Sequence, residues 1–81
     1  MKRAEAYALI DAERTRQRER WRRPHRWGQG DCSSSAVTPI VKAVVLSEEC
    51  GEVSRAILDG EDPTDELVQV AAVAVAWLES L

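Results

Sequence analysis

Glu48, Glu49 and Glu52 stand close together in the chain. In a helix the pairs four apart (Glu48, Glu52) and three apart (Glu49, Glu52) share one face. Like charges at that spacing cost a helix roughly 0.2 to 0.5 kcal/mol per pair, and Arg55 is the only nearby base along the same segment. A hard divalent cation would relieve such a cluster. Magnesium takes octahedral oxygen coordination and keeps several waters, so one or two carboxylates plus substrate phosphates suffice, and manganese suits the same donors. Glu66 follows on the early turns of the next helix, where an antiparallel packing would set a further carboxylate opposite the first three. His25, the sole histidine, is remote in sequence from these glutamates, so a Glu-x-x-His iron site is not expected. The plain alternative is an acidic face that does nothing but meet water.

The elements that must position these residues follow from punctuation and periodicity. A first helix over about 4–23 has no Gly or Pro, is rich in Ala, Glu, Arg and Gln, and stops at Pro24. Its stripe Tyr7, Ile10, Arg14, Gln17, Trp21 is apolar at the ends and polar in the middle, which suits a face lining a pocket. Residues 24–38 hold Trp27, Gly28, Gly30 and the serines Ser33 to Ser35 with no sustained period, and read as a loop. A second helix over 39–58 opens with Thr38 as N-cap and Pro39 at the first position, and closes before Gly60. Gly51 inside it predicts the close approach of another backbone or ligand, and Cys50 reads as a small core residue. A third helix over 63–80 starts from Asp62 as N-cap and Pro63. Leu67, Val70, Ala71, Ala74, Trp77, Leu78 and Leu81 give it an apolar face, and Val68, Val73 and Val75 carry that character well round the cylinder, so it wants more than one neighbour. The expected architecture is all-α: an antiparallel helical hairpin plus an N-terminal helix, completed into a bundle by oligomerisation.

Size points the same way. The 81 residues make one domain (1–81), 44% hydrophobic and 31% charged. A chain this short buries only roughly 60% of its unfolded surface, so a metal or partner subunit is the expected source of added stability. Cys32 and Cys50 allow at most one disulfide, and Met1-Lys2-Arg3-Ala4-Glu5 leads into no long apolar run, which predicts a cytoplasmic chain with free thiols. No apolar stretch reaches the roughly 20 residues of a membrane span. Net charge is −3, but unevenly spread: residues 1–26 carry nine Lys/Arg against four Asp/Glu (+5), and residues 27–81 two against ten (−8). The arginine-rich end can answer the phosphates that an acidic site would repel.

Ser47-Glu48-Glu49-Cys50-Gly51-Glu52-Val53, followed after a short gap by Glu66-Leu67-Val68-Gln69, resembles the Glu-Glu-x-x-Glu and Glu-x-x-Asp signature of the MazG-like nucleoside triphosphate pyrophosphohydrolases. Glu13-Arg14 with Gln17, Trp27-Gly28 and Val68 to Glu79 are similar to small, often phage-encoded, members, so the likeness spans roughly residues 5–81. The resemblance implies an all-α fold that forms homodimers or homotetramers, magnesium (or manganese) held by motif carboxylates, and hydrolysis of a (d)NTP to (d)NMP and pyrophosphate. For a phage-encoded chain it implies the host cytoplasm. Glu49, Glu52 and Glu66 fall on the metal positions. Glu48 or Glu49 would orient or deprotonate the attacking water. Gln69 stands where the family has Asp and brings no charge.

Substrate contacts would come from Arg14 to phosphates, Gln17 to a base or sugar edge, Trp27 (or Trp21) stacking on the base, and Lys42 and Gln69 beside the acids. Two other readings remain: a MazG-like nucleotide-binding protein with impaired catalysis, and a nucleic-acid-binding module built on the arginines between Arg14 and Arg26. These arginines spread over several helix faces, so nucleic acid is not the expected partner; neither is a membrane.

Overall fold

The computed structural model describes residues 1–81, with helices α1 (Arg3–Arg20), α2 (Pro39–Leu58) and α3 (Thr64–Glu79) and strands β1 (Pro24–His25) and β2 (Gly28–Gln29). Helix α1 ends before the position of Arg23. Pro24 pushes the residue before it out of helical backbone, and the Trp21 N–H closes the last turn on the Gln17 carbonyl at 3.1 Å. The chain then folds back, with Pro24 opposite Gln29 and His25 opposite Gly28 in antiparallel register. The stretch read as loop therefore holds a small hairpin, and the chain is mostly rather than wholly helical. Strands of two residues are too short to show alternation, which is why periodicity missed them. The glycine signal was sounder: Gly28 has φ +135°, and a Cβ there would overlap the Ala36 carbonyl oxygen.

Helix α2 opens and closes as its sequence dictates. Thr38 Oγ1 accepts from the Val41 N–H at 3.3 Å, and Pro39 occupies the first turn. At the other end Gly60 takes φ +71°, its N–H donating to Ile57 and that of Glu61 to Ala56 at 2.8 Å. The Asp62 carboxylate accepts from the Thr64 backbone N–H (3.0 Å) and hydroxyl (2.7 Å), ordering the entry to α3, although the cap residue itself is Pro63.

Helix α3 is the middle of the molecule: α2 and α1 each pack against it, and not against one another. Its wide apolar surface thus has two neighbours within the chain, one more than a hairpin alone would offer. The core is thin. Cys32, Val73 and Ala76 form its centre with Val45 and Leu46 against them, and no large side chain is fully buried. The core cysteine is Cys32; Cys50 is exposed, and both are free thiols. Gly51 has open space where a Cβ would stand, so the close approach expected there does not occur within the chain. No helix is long and apolar enough to cross a membrane.

Candidate functional site

Lys42, Val45, Leu46, Glu49, Val53 and Ala56 recur at three and four residue spacing and make the more buried stripe of α2. Glu49 is the acid in that stripe. Its Oε2 is out of contact with solvent and has no hydrogen-bond partner. Burial, followed by the negative charge of Glu52, Glu48 and Glu13, pushes the Glu49 carboxyl up to about 7. Once ionised, the Glu49 carboxylate carries its charge among the like charges of Glu52, Glu48 and Glu13. Glu13 comes from α1, and the sequence reading, which looked for acids on α2 and α3, gave it no place in the cluster. The signal available was its position one residue before Arg14 on the polar midsection of α1.

The motif glutamates are not all brought together. Glu48 and Glu52 are exposed on the flank of α2, whereas Glu66 is half-buried near the start of α3 and is not among the acids whose charge chiefly acts on Glu49. No group of three or more His, Cys, Asp or Glu side chains is arranged to hold a metal ion. Gln69 lines a groove of about 260 Å³ between α1 and α3 together with Leu9, Glu13, Arg16, Asp65 and Val68. Glu13 links that groove to the Glu49 cluster, and it is paired with Arg16 at 2.7 Å.

The residues offered to a substrate lie elsewhere. Arg14 is only 7% exposed: Nη1 donates to Asp31 Oδ2 (2.8 Å) and Gln17 Oε1 (3.1 Å), and Nε to Glu79 Oε2 (2.8 Å). Burial would lower the Arg14 pKa, but its bonds and charge attraction to Asp31 and Glu79 outweigh burial and leave it raised. Arg14 and Gln17 are thus committed to each other and to the chain's own acids. The odd polar midsection of α1 is explained by this internal network. Lys42 is buried, its Nζ donating to Ser80 Oγ at 2.9 Å. Trp27 is half exposed at the hairpin turn and away from these contacts.

An oxygen-only donor set with one buried, unpartnered carboxylate oxygen is the chemistry a hard cation accepts. The carboxylates of Glu49 and Glu52 suit that ion in kind, although no three acids are arranged to hold one and Glu13 is taken by Arg16. Compared with protein-family models, curated proteins and solved structures, the chain matches none.

Proposed function

We propose that the chain is a magnesium-dependent pyrophosphohydrolase of the MazG-like kind, converting a (d)NTP and water to (d)NMP and pyrophosphate. The observation that carries the reading is Glu49 Oε2, shielded from solvent and without a hydrogen-bond partner on a half-buried carboxyl that feels the charges of Glu52, Glu48 and Glu13. Glu49, Glu52 and Glu66 would hold the ion once their side chains turn toward it, since no three acids are arranged for one as they stand. Magnesium, when bound, supplies neutralisation of the charge that develops on phosphate oxygens. With the ion on Glu49 and Glu52, exposed Glu48 is the candidate to take a proton from the attacking water, and Glu49 is the alternative. Arg16, paired with Glu13 on the α1 wall of the groove, is the cation placed to meet a phosphate, and Gln69 on the α3 wall offers an amide to a sugar or base edge.

Two observations favour a second reading, a nucleotide-binding protein with weak catalysis. Gln69 brings no charge, and the acids are not gathered into a set of three or more that would hold an ion. In either reading the working unit is a homodimer or homotetramer, because Ile40, Val44, Leu58, Leu67 and Leu78 stand more than half exposed.

The deciding experiment offers the purified chain and magnesium a panel of ribo- and deoxyribonucleoside triphosphates and measures pyrophosphate. Release from at least one nucleotide, cut by about 100-fold or more in Glu49→Gln, is expected. Binding of a triphosphate without release would establish the second reading, and neither binding nor release would remove both.

A further inference from the structure

The end of α1 and the hairpin that follows it build a continuous strip of three aromatic rings with a guanidinium over the tryptophan at each end. Arg20 lies over the Trp21 ring at 5.3 Å; Trp21 meets His25 edge-on at 5.4 Å; His25 lies 6.3 Å from Trp27; and Arg26 lies over Trp27 at 5.9 Å. Sequence periodicity could not show this, because it places Arg20 and Trp21 on a helix over 4–23 and Arg26 and Trp27 in a loop without a period. The helix ends at Arg20, and the turn back through Pro24 and Gly28 carries Arg26 and Trp27 to the same strip.

The strip is held by its own framework. His25 Nε2 bonds the Gly30 carbonyl at 2.8 Å, while its Nδ1 accepts the Trp27 N–H at 3.2 Å, which together fix the imidazole as the Nε2-protonated tautomer. Gly28 lies against the Ala36 backbone with no room for a side chain. Trp27 nevertheless remains 52% exposed. Arg22 and Arg23, exposed between Trp21 and Pro24, add charge to the segment, and from Arg14 to Arg26 Glu19 is the only acid, taken by Arg22 at 3.3 Å.

We propose that this strip binds single-stranded nucleic acid, bases stacking on Trp27 and Trp21 and arginines meeting the phosphates. Flat rings at intervals along a cationic track are how single strands are held without sequence reading. A lipid surface would favour a broader apolar patch beside the basic side chains, and the three rings here are flanked by guanidiniums at both ends. The strip shares no residue with the Glu49 cluster, so the proposal does not rest on the hydrolase reading.

Fluorescence anisotropy of a labelled single-stranded oligonucleotide with the full chain tests it, alongside vesicles of anionic lipid and a mononucleotide. Binding at low salt is expected. It should weaken about 5- to 100-fold in Trp27→Ala, recover in Trp27→Phe, and show a salt slope lower by about 0.7 in Arg26→Gln. Trp27 is half exposed, and circular dichroism of each variant would verify that the helices persist. Absence of oligonucleotide binding at low salt would overturn the proposal, as would equal binding by Trp27→Ala, or capture of vesicles or mononucleotide without the strand.

Discussion

Glu49 shows how one side chain records two competing demands. Its helix position belongs to the stripe that packs inward, where an apolar residue would serve stability, yet the residue is an acid whose Oε2 has no partner. Its pKa is raised from 4.5 to about 7, so between those values the folded chain holds a proton that the unfolded chain has lost. Stability must therefore fall as pH rises through that window and level off above it. Glu49→Gln keeps the shape without the charge. In chemical denaturation the variant is expected to be more stable than the parent above pH 7, on the order of 1 kcal/mol after allowance for solvent screening, with the difference vanishing below pH 4. A pH-independent difference would show that the cluster does not strain the fold. The motif spacing made Glu48, Glu49 and Glu52 legible as one acidic group. Which of them is buried was not legible, because that depends on where α3 lies against α2.

Among the elements, α2 was read most accurately, since Thr38, Pro39 and Gly60 act through local backbone chemistry that needs no tertiary partner. The end of α1 and the hairpin were read less well, and for the opposite reason. Trp21 to Gln29 take their shape from contacts with His25 and with Ala36, which lie outside any helical period. The Arg14 network is likewise tertiary: Arg14 on α1, Asp31 in the connection and Glu79 at the end of α3 meet only once the chain is folded. Asp31 is also held by Ser33, and these bonds with Arg14 outweigh its burial and keep its carboxyl below the usual range. Removing Arg14 leaves that buried acid unpaired. Arg14→Met should lower stability at neutral pH by about 3 kcal/mol, and the loss should shrink as pH falls through the range where Asp31 takes up a proton. An unchanged urea midpoint would contradict this role and return Arg14 to the list of residues free for a ligand.

At the scale of the molecule, the balance between buried and exposed apolar surface is what stands out. Six apolar residues are buried, among them three alanines, while Ile40, Leu58, Leu78 and Leu81 are each at least two thirds exposed. Ile40, Val44, Gly51 and Leu58 share the side of α2 turned away from Glu49, and Gly51 there faces open space that a second helix can approach closely. Leu46, Ala74, Trp77, Leu78 and Leu81 line an apolar groove between α2 and α3. Sedimentation is expected to give a dimer or tetramer at micromolar concentration, shifted toward smaller species by Val44→Glu; a folded monomer throughout would contradict the shared bundle. The size of the chain already asked for a partner or a metal, and the exposed stripes say where a partner would lie.

For the metal, the Glu49 carboxylate left without a donor is the central claim, and a magnesium titration followed by calorimetry tests it most directly. At pH 8, where Glu49 is ionised, the parent chain should bind magnesium at millimolar or lower concentration, and binding should weaken at least 10-fold in Glu49→Gln and at pH 5. Equal binding by parent and variant, or no binding to the parent at pH 8, would contradict it.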